Sequence, residues 1–229
     1  MLATWGSICA TVSKVIGGGL PVDPLDSLIA LVAGTETSLV DFTDQGQLFQ
    51  DGAGTIPVTA QGQPIGRALD LSGNGFHLVQ TTGSRKPLYS GNDGAGFDGA
   101  NDRIDATYAA SFNRSLMLLL RKDSGSFGPN HILQNNIVYE DGSNVGTPYP
   151  TFVDQIETLR REDLHDALDD GAYHEVLIEG FPSSAVAIGR SGGQAMLAEV
   201  RAAVYLREQD FPSNLPEVKA AVRNWFGTF

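Results

Sequence analysis

The sequence predicts an all-β fold, two antiparallel sheets packed face to face, and three features carry that prediction. The apolar runs are short, the residues between them are turn formers, and one long segment alternates apolar with polar side chains. The chain has 229 residues, among them 27 glycines and 11 prolines, together about 17% against a usual figure near 12%. A chain that turns this often favours short strands. Hydrophobic residues make up 41% and charged residues 18%, which is too apolar and too weakly charged for a disordered polymer. The net charge of -12 repels phosphate backbones and anionic lipid heads, and the Lys and Arg residues form no cluster, so nucleic acid is not an expected partner. The single cysteine, Cys9, makes no internal disulfide and no Cys-rich metal site.

Residues 1–40 differ from the rest and are read as an N-terminal arm. Leu2 to Leu20 has Lys14 as its only charge. It has no basic residue before the apolar run, and Gly17-Gly18-Gly19 interrupts it before about 20 apolar residues accumulate, so neither a signal peptide nor a membrane span is expected. Pro21-Val22-Asp23-Pro24 reads as an extended connector. Asp26 then caps a short helix over Ser27 to Ala33 that Gly34 stops. An apolar arm needs a surface, which is its own domain, a second copy or a larger assembly.

From Leu39 onward the runs are Leu39-Val40, Ile56-Pro57-Val58, Phe76 to Val79, Leu116 to Leu120, Ile132-Leu133, Ile137 to Tyr139, Thr151 to Val153, Glu175 to Glu179 and Ala185 to Ile188. Punctuated by Gly, Asn, Asp and Pro, they read as strands of a sandwich. Between Gln194 and Glu208 a helix and a strand compete. Every even position from Met196 to Leu206 is apolar, and Glu199, Arg201 and Arg207 lie at odd ones, so the strand is preferred, with Gly192-Gly193 as its hairpin turn. Two helices are better marked. Arg161 to Asp170 puts Leu164 and Leu168 on one face and ends at Gly171. Asn214 with Glu217 forms a capping box, and Leu215, Val218, Val222 and Trp225 make an apolar stripe that closes over the sandwich.

Motifs of chemistry are matched in letters and contradicted by context. Gly189-Arg190-Ser191-Gly192-Gly193 fits a nucleophile elbow, yet His77, His131, His165 and His174 all precede Ser191, whereas a hydrolase of that type needs its histidine afterwards. Gly94 to Gly99 satisfies a dinucleotide fingerprint without the strand before it or the helix after it. Glu175 and Glu179 share a strand face, but about 13 Å separates them, too far for a glycosidase pair. Asp163, Asp166, Asp169 and Asp170 read as a solvated helix face. No metal site and no cofactor are expected. Asp98 and Asp102 are within reach of one calcium ion, but consecutive turns in which they bond their own backbone account for them better.

The turn residues carry a resemblance. Asp70-Leu71-Ser72-Gly73-Asn74-Gly75-Phe76-His77-Leu78, then Arg85-Lys86-Pro87, then Gly96-Phe97-Asp98-Gly99-Ala100-Asn101-Asp102-Arg103-Ile104 resemble the D-x-S-G-N-G … R-P … F-D-G-x-D-D pattern of laminin G-like, concanavalin A-like jelly rolls. Leu48 to Asp51 and Thr55 to Ala60, leading to Gly66, are similar to the version found in virion proteins of tailed phages and prophages. Lys86 and Asn101 depart from the pattern.

The resemblance implies a jelly-roll sandwich over residues 41–229, closed by the C-terminal helix, and a structural virion protein: a fibre, spike or surface decoration. Its arm would bind other virion proteins or sister copies in a homo-oligomer, and its sandwich would contact host-surface polysaccharide. Tyr89, Tyr108, Phe127, Tyr139 and Tyr149 are the aromatic candidates for stacking on sugar. No catalytic residue is assigned. The alternatives are an architectural cement subunit without a ligand and a polysaccharide-degrading enzyme with an unfamiliar acid pair.

Overall fold

The computed structural model describes residues 22–122, 130–131, 139–140, 149–158, 161–189 and 196–229. Along the chain these form α1 (Pro24–Val32), β1 (Ser38–Asp41), β2 (Leu48–Phe49), β3 (Arg67–Ala68), β4 (Leu78–Val79), β5 (Leu88–Tyr89), β6 (Ala95–Asp98) and β7 (Arg103–Lys122). Then come β8 (Asn130–His131), β9 (Tyr139–Glu140), β10 (Thr151–Val153), β11 (Ile156–Glu157), α2 (Arg161–Leu168), β12 (Tyr173–Gly189), β13 (Leu197–Arg207) and α3 (Leu215–Phe226). The described strands make an 11-stranded sheet with the path β11-β10-β12-β7-β13-β6-β5, to which β1 to β4 attach, and a separate β8–β9 pair. Every described pairing is antiparallel.

Two strands are longer than the punctuation suggests. Leu116 to Leu120 lies within the 20-residue β7, and the runs Glu175 to Glu179 and Ala185 to Ile188 belong to one 17-residue β12. Straight, β7 would span about 66 Å, whereas a chain of this length has a radius of gyration of about 17 Å. The strand must therefore curl. Ile104, Ala106 and Tyr108 from its first half join the same core as Leu116, Leu118 and Leu120 from its second.

The bend is made by bulges in β12, where pairing with β7 slips between Ile178 and Phe181 and again between Ser183 and Ala185. Gly180, at φ +69, serves as a bulge residue and not as a turn. Its N–H donates to Glu208 Oε1 at 2.9 Å, and the Ser183 carbonyl accepts from Arg114 Nε at 3.0 Å. Arg114 is fully buried, lies 3.6 Å over the Tyr108 ring, and donates to Glu36 at 2.9 Å. Side chains thus satisfy two backbone groups at the irregularities.

Each face of the central β7–β12–β13 sheet buries a core. The first holds Leu116, Leu118, Leu120, Val176 and Ile178 against Phe42, Leu48, Val58, Ile65 and Leu78, with Leu164 and Leu168 of α2. The second holds Met117, Leu119 and Leu177 against Leu28 and Val32 of α1 and Val218, Val222 and Trp225 of α3.

The segment Leu197–Arg207 is a strand, as the alternation predicts, but its even residues do not share one face. Met196, Ala198 and Val200 enter the first core, whereas Ala202, Val204 and Leu206 enter the second. The phase changes because Val200 pairs with Leu120 and Ala202 with Leu119, which leaves Arg201 as the extra residue of a bulge.

All three expected helices form, and the N-terminal caps of α1 and α3 differ from those expected. The α1 cap is Asp23, whose carboxylate accepts from Leu25 N at 2.8 Å, and Pro24 opens the helix, so Asp26 lies inside the first turn. Asn214 makes no side-chain cap bond to α3. Gly34 and Gly171 take φ +75 and +73 after α1 and α2. Ile56 to Val58 yields no strand, only an isolated Phe49–Pro57 bridge. The expected runs at 132–133 and 137–138, the Gly192-Gly193 hairpin and most of the arm, residues 1–21, lie outside the described residues. The described remainder of the arm packs inside: Leu28, Val32 and Leu39 are fully buried beside α3.

The Asp70 turn makes that junction. Its buried carboxylate accepts from Leu39 N (2.9 Å), Ser72 N (2.9 Å), Ser72 Oγ (2.8 Å) and Phe76 N (3.0 Å). Asn74 accepts from Gly34 N and donates to the Val32 and Thr37 carbonyls. The residues that carry the resemblance therefore act as fasteners between α1, β1 and the sheet.

Candidate functional site

Two strands flank β13 on the side away from β7 and divide at the bulge. β1 pairs with Ala202 to Tyr205, and β6 pairs with Leu197 to Val200. At the fork the Arg201 carbonyl accepts from Phe42 N at 2.8 Å. A turn over Gly91–Asp93 precedes β6. Gly94, at φ +83, lets this turn press on the bulge, since a Cβ there would stand 2.2 Å from the Val200 carbonyl oxygen and 2.9 Å from Arg201 Cα. The fork leaves a recess of about 280 Å³ lined by Thr43, Asn92, Arg201, Thr228 and Phe229.

The Arg201 guanidinium stacks 3.8 Å from the Tyr173 ring, and its Nη2 lies 3.4 Å from Asp93 Oδ1. Its Nε is buried without a hydrogen-bond partner among the described residues. Arg121, 5.1 Å from the same ring, ion-pairs with Glu199 and stands 3.6 Å from Asp93. The Tyr173 hydroxyl lies 3.1 Å from Asp93 Oδ1. Burial pushes its pKa up to about 12, so it stays a neutral donor to that carboxylate. Two cations and two anions meet here, and Arg201 has a single ion contact, to Asp93, among the described residues. Phe229 packs edge-to-face on Trp225, ring centroids 5.5 Å apart.

A second hollow, about 310 Å³, lies between α3 and the β10–β12 edge, lined by Phe152, Leu177, Leu215 and Pro216 with Gln155, Glu179, Lys219 and Arg223. Its charges are consumed. Lys219 pairs with Glu179, and Arg223 Nε donates to both oxygens of Glu175 at 2.9 and 3.0 Å. Glu175 and Glu179, rejected as an acid pair on distance, are the two points where α3 is tied to β12.

The aromatic candidates for sugar stacking whose side chains are described lie in or against the core, where no sugar face can reach a buried ring. Tyr89 and Tyr108 are buried in the first core, and Tyr149 packs against it, 6.3 Å from Phe181. Tyr89 and Tyr108 occupy inward positions of β5 and β7, and Tyr149 precedes β10. Phe127 and Ser191 lie outside the described residues, and of Tyr139 only its place in β9 is described.

Asp98 Oδ1 accepts from Ala100 N and Asn101 N, and Asp102 Oδ2 from Asp98 N. These are the consecutive turns the sequence predicts. Burial raises the Asp102 pKa to about 6. Among the described residues no group of three or more His, Cys, Asp or Glu side chains is arranged to hold a metal ion.

Sequence reasoning missed Arg201, Asn92, Thr43, Thr228 and Phe229. One signal was present: a lone arginine between two apolar half-segments whose alternation fails at Ala203. No known protein family, curated protein or solved structure matches the chain.

Proposed function

We propose that this chain is a non-catalytic, glycan-binding β-sandwich, a concanavalin A-like jelly roll of the virion-protein kind. On this reading it is displayed by a tailed phage and touches host-surface polysaccharide through the Arg201 recess. The observation that carries the reading is the recess itself. A bulge and a glycine without room for a Cβ set one arginine, one amide and two hydroxyls around a small hollow beside an aromatic ring. Such a mixture suits sugar, whose ring docks on an aromatic face while its hydroxyls meet fixed polar groups. Affinity per copy would be weak, and copies arrayed on a particle would raise it by orders of magnitude.

In the same reading residues 1–21 attach the domain to other virion proteins or to sister copies. The test is a glycan array with the full chain, multimerised on beads, together with adsorption to host cells. Binding that Arg201→Ala abolishes is the expected result. Absence of any recognised glycan removes the adhesive reading and leaves an architectural subunit. Release of reducing ends from capsule by the purified chain favours an enzyme.

A further inference from the structure

From the hydrogen-bond roles of the side chains around the recess we infer that it takes one uncharged hexose ring through adjacent hydroxyls, and discriminates against the corresponding uronic acid. This rests on the glycan-binding reading and adds the class of sugar.

Thr43 Oγ1 already donates to Asp41 at 2.7 Å, and Thr228 Oγ1 to the Trp225 carbonyl at 2.7 Å. Each hydroxyl has given its one proton inside the protein, so the group left for a ligand is an acceptor lone pair. Arg201 can only donate, and Asn92 does both. A ligand that satisfies this set must carry donors and acceptors on neighbouring atoms, as the hydroxyls of a sugar do. A carboxylate has no proton to offer Thr43 or Thr228.

Charge points the same way. Arg121 and Arg201 are matched by Asp93 and Glu199 within one cluster, and Asp41 sits directly behind Thr43. No net positive charge remains to offset the desolvation of an incoming anion, and the chain as a whole carries -12. Size sets the last limit. At about 280 Å³ the recess is at the low end of ligand pockets, roughly 300–1,000 Å³, which matches a single ring with Phe229 as its apolar wall.

The experiment is a titration of the ¹⁵N-labelled full chain with glucose, galactose, mannose and their uronic acids, each to about 20 mM, read by amide shifts. At least one neutral hexose is expected to move Thr43, Asn92, Arg201 and Thr228 together, with its uronic acid about fivefold weaker or more. Thr228→Val, which keeps the side-chain shape, should weaken that sugar about fivefold, the worth of one hydrogen bond near 1 kcal/mol. A spectrum otherwise unchanged shows that this variant folds. Tighter binding of the uronic acid overturns the inference and leaves the glycan reading standing. The same holds if an array-positive sugar shifts residues elsewhere and none of these four. A chain that binds no sugar on the array or in the titration loses both.

Discussion

On one face of the β7–β12–β13 sheet the cover is two helices, held by side chains far apart in sequence. On the other it is largely the turn-rich stretch from Phe42 to Phe97, held by bonds between close neighbours. Lys219–Glu179 and Arg223–Glu175 tie α3 to β12 across 40 and 48 residues. The turn side instead uses Asp51, which accepts from Thr55 and Ile56, Asp70, which accepts from Ser72 and Phe76, and Asp98, which accepts from Ala100 and Asn101. Those turns are specified locally. The helix cover is specified by shape: Val218, Val222 and Trp225 must meet Leu28 and Val32, and nothing near them in sequence enforces it. The two sides should therefore fail in different ways.

The largest effect is expected on the helix side. Trp225 is 3% exposed, with its ring 5.7 Å from Phe226 and 5.5 Å from Phe229, so Trp225→Ala should cost about 3–5 kcal/mol in urea unfolding. A loss below about 1 kcal/mol would mean that α3 does not close the sheet. On the turn side Asp70→Ala removes the acceptor of four hydrogen bonds and strands the buried N–H groups of Leu39 and Ser72. About 3 kcal/mol is expected, and Asp70→Asn, which keeps one acceptor oxygen, should cost less. Equal losses in Ala and Asn would show that charge, and not the fastening geometry, is what matters there.

Gly94→Ala joins the two questions, stability and site. The new methyl meets backbone at 2.2 Å in a left-handed conformation, so the turn must lift from the bulge at a cost of about 2 kcal/mol. Sugar shifts at Asn92 and Arg201 should vanish in this variant while the Trp225 side keeps its hydrogen-exchange protection. Retained sugar shifts would separate the recess from the fork at the bulge.

The same contrast decides what the sequence discloses. Turn chemistry is written in adjacent letters, so Asp98-Gly99 and Asn101-Asp102 were readable, as were the ends of α1 and α2 at Gly34 and Gly171. The strand over Leu197–Arg207 was readable too, yet its phase change was hidden. Both of its faces are buried after Arg201, so apolar letters continue on either phase. The runs Glu175 to Glu179 and Ala185 to Ile188 read as separate strands, because a bulge and a turn ask for the same residue, here Gly180. The recess was least legible. Its five side chains come from four separate stretches, residues 43, 92, 201 and 228–229, and each is ordinary alone.

The smallest expected effect is a pH response, to which two groups on the turn-covered side contribute in the same direction. Asp102 is buried, and its pKa of about 6 exceeds the unfolded value near 3.9, so its ionisation in the folded chain is opposed. Its contribution to stability falls as pH rises from about 4 to 6. His174 stands in the row of Val176 and Ile178, with Nδ1 2.7 Å from Asp154 and Nε2 2.8 Å from Asp170. Those two carboxylates raise its pKa against the opposing effect of burial. Only the imidazolium donates to both partners. Its contribution is complete below about 6.5 and is lost as pH rises through the raised folded value. Both carboxylates are more than half exposed, so solvent screening keeps this a shallow slope. Asp102→Asn should flatten the unfolding curve between about pH 4 and 6, and His174→Gln should flatten it above about 6.5. A slope that survives in both single variants and disappears in Glu175→Gln would move the titration to the helix-covered face and reverse the contrast between the two.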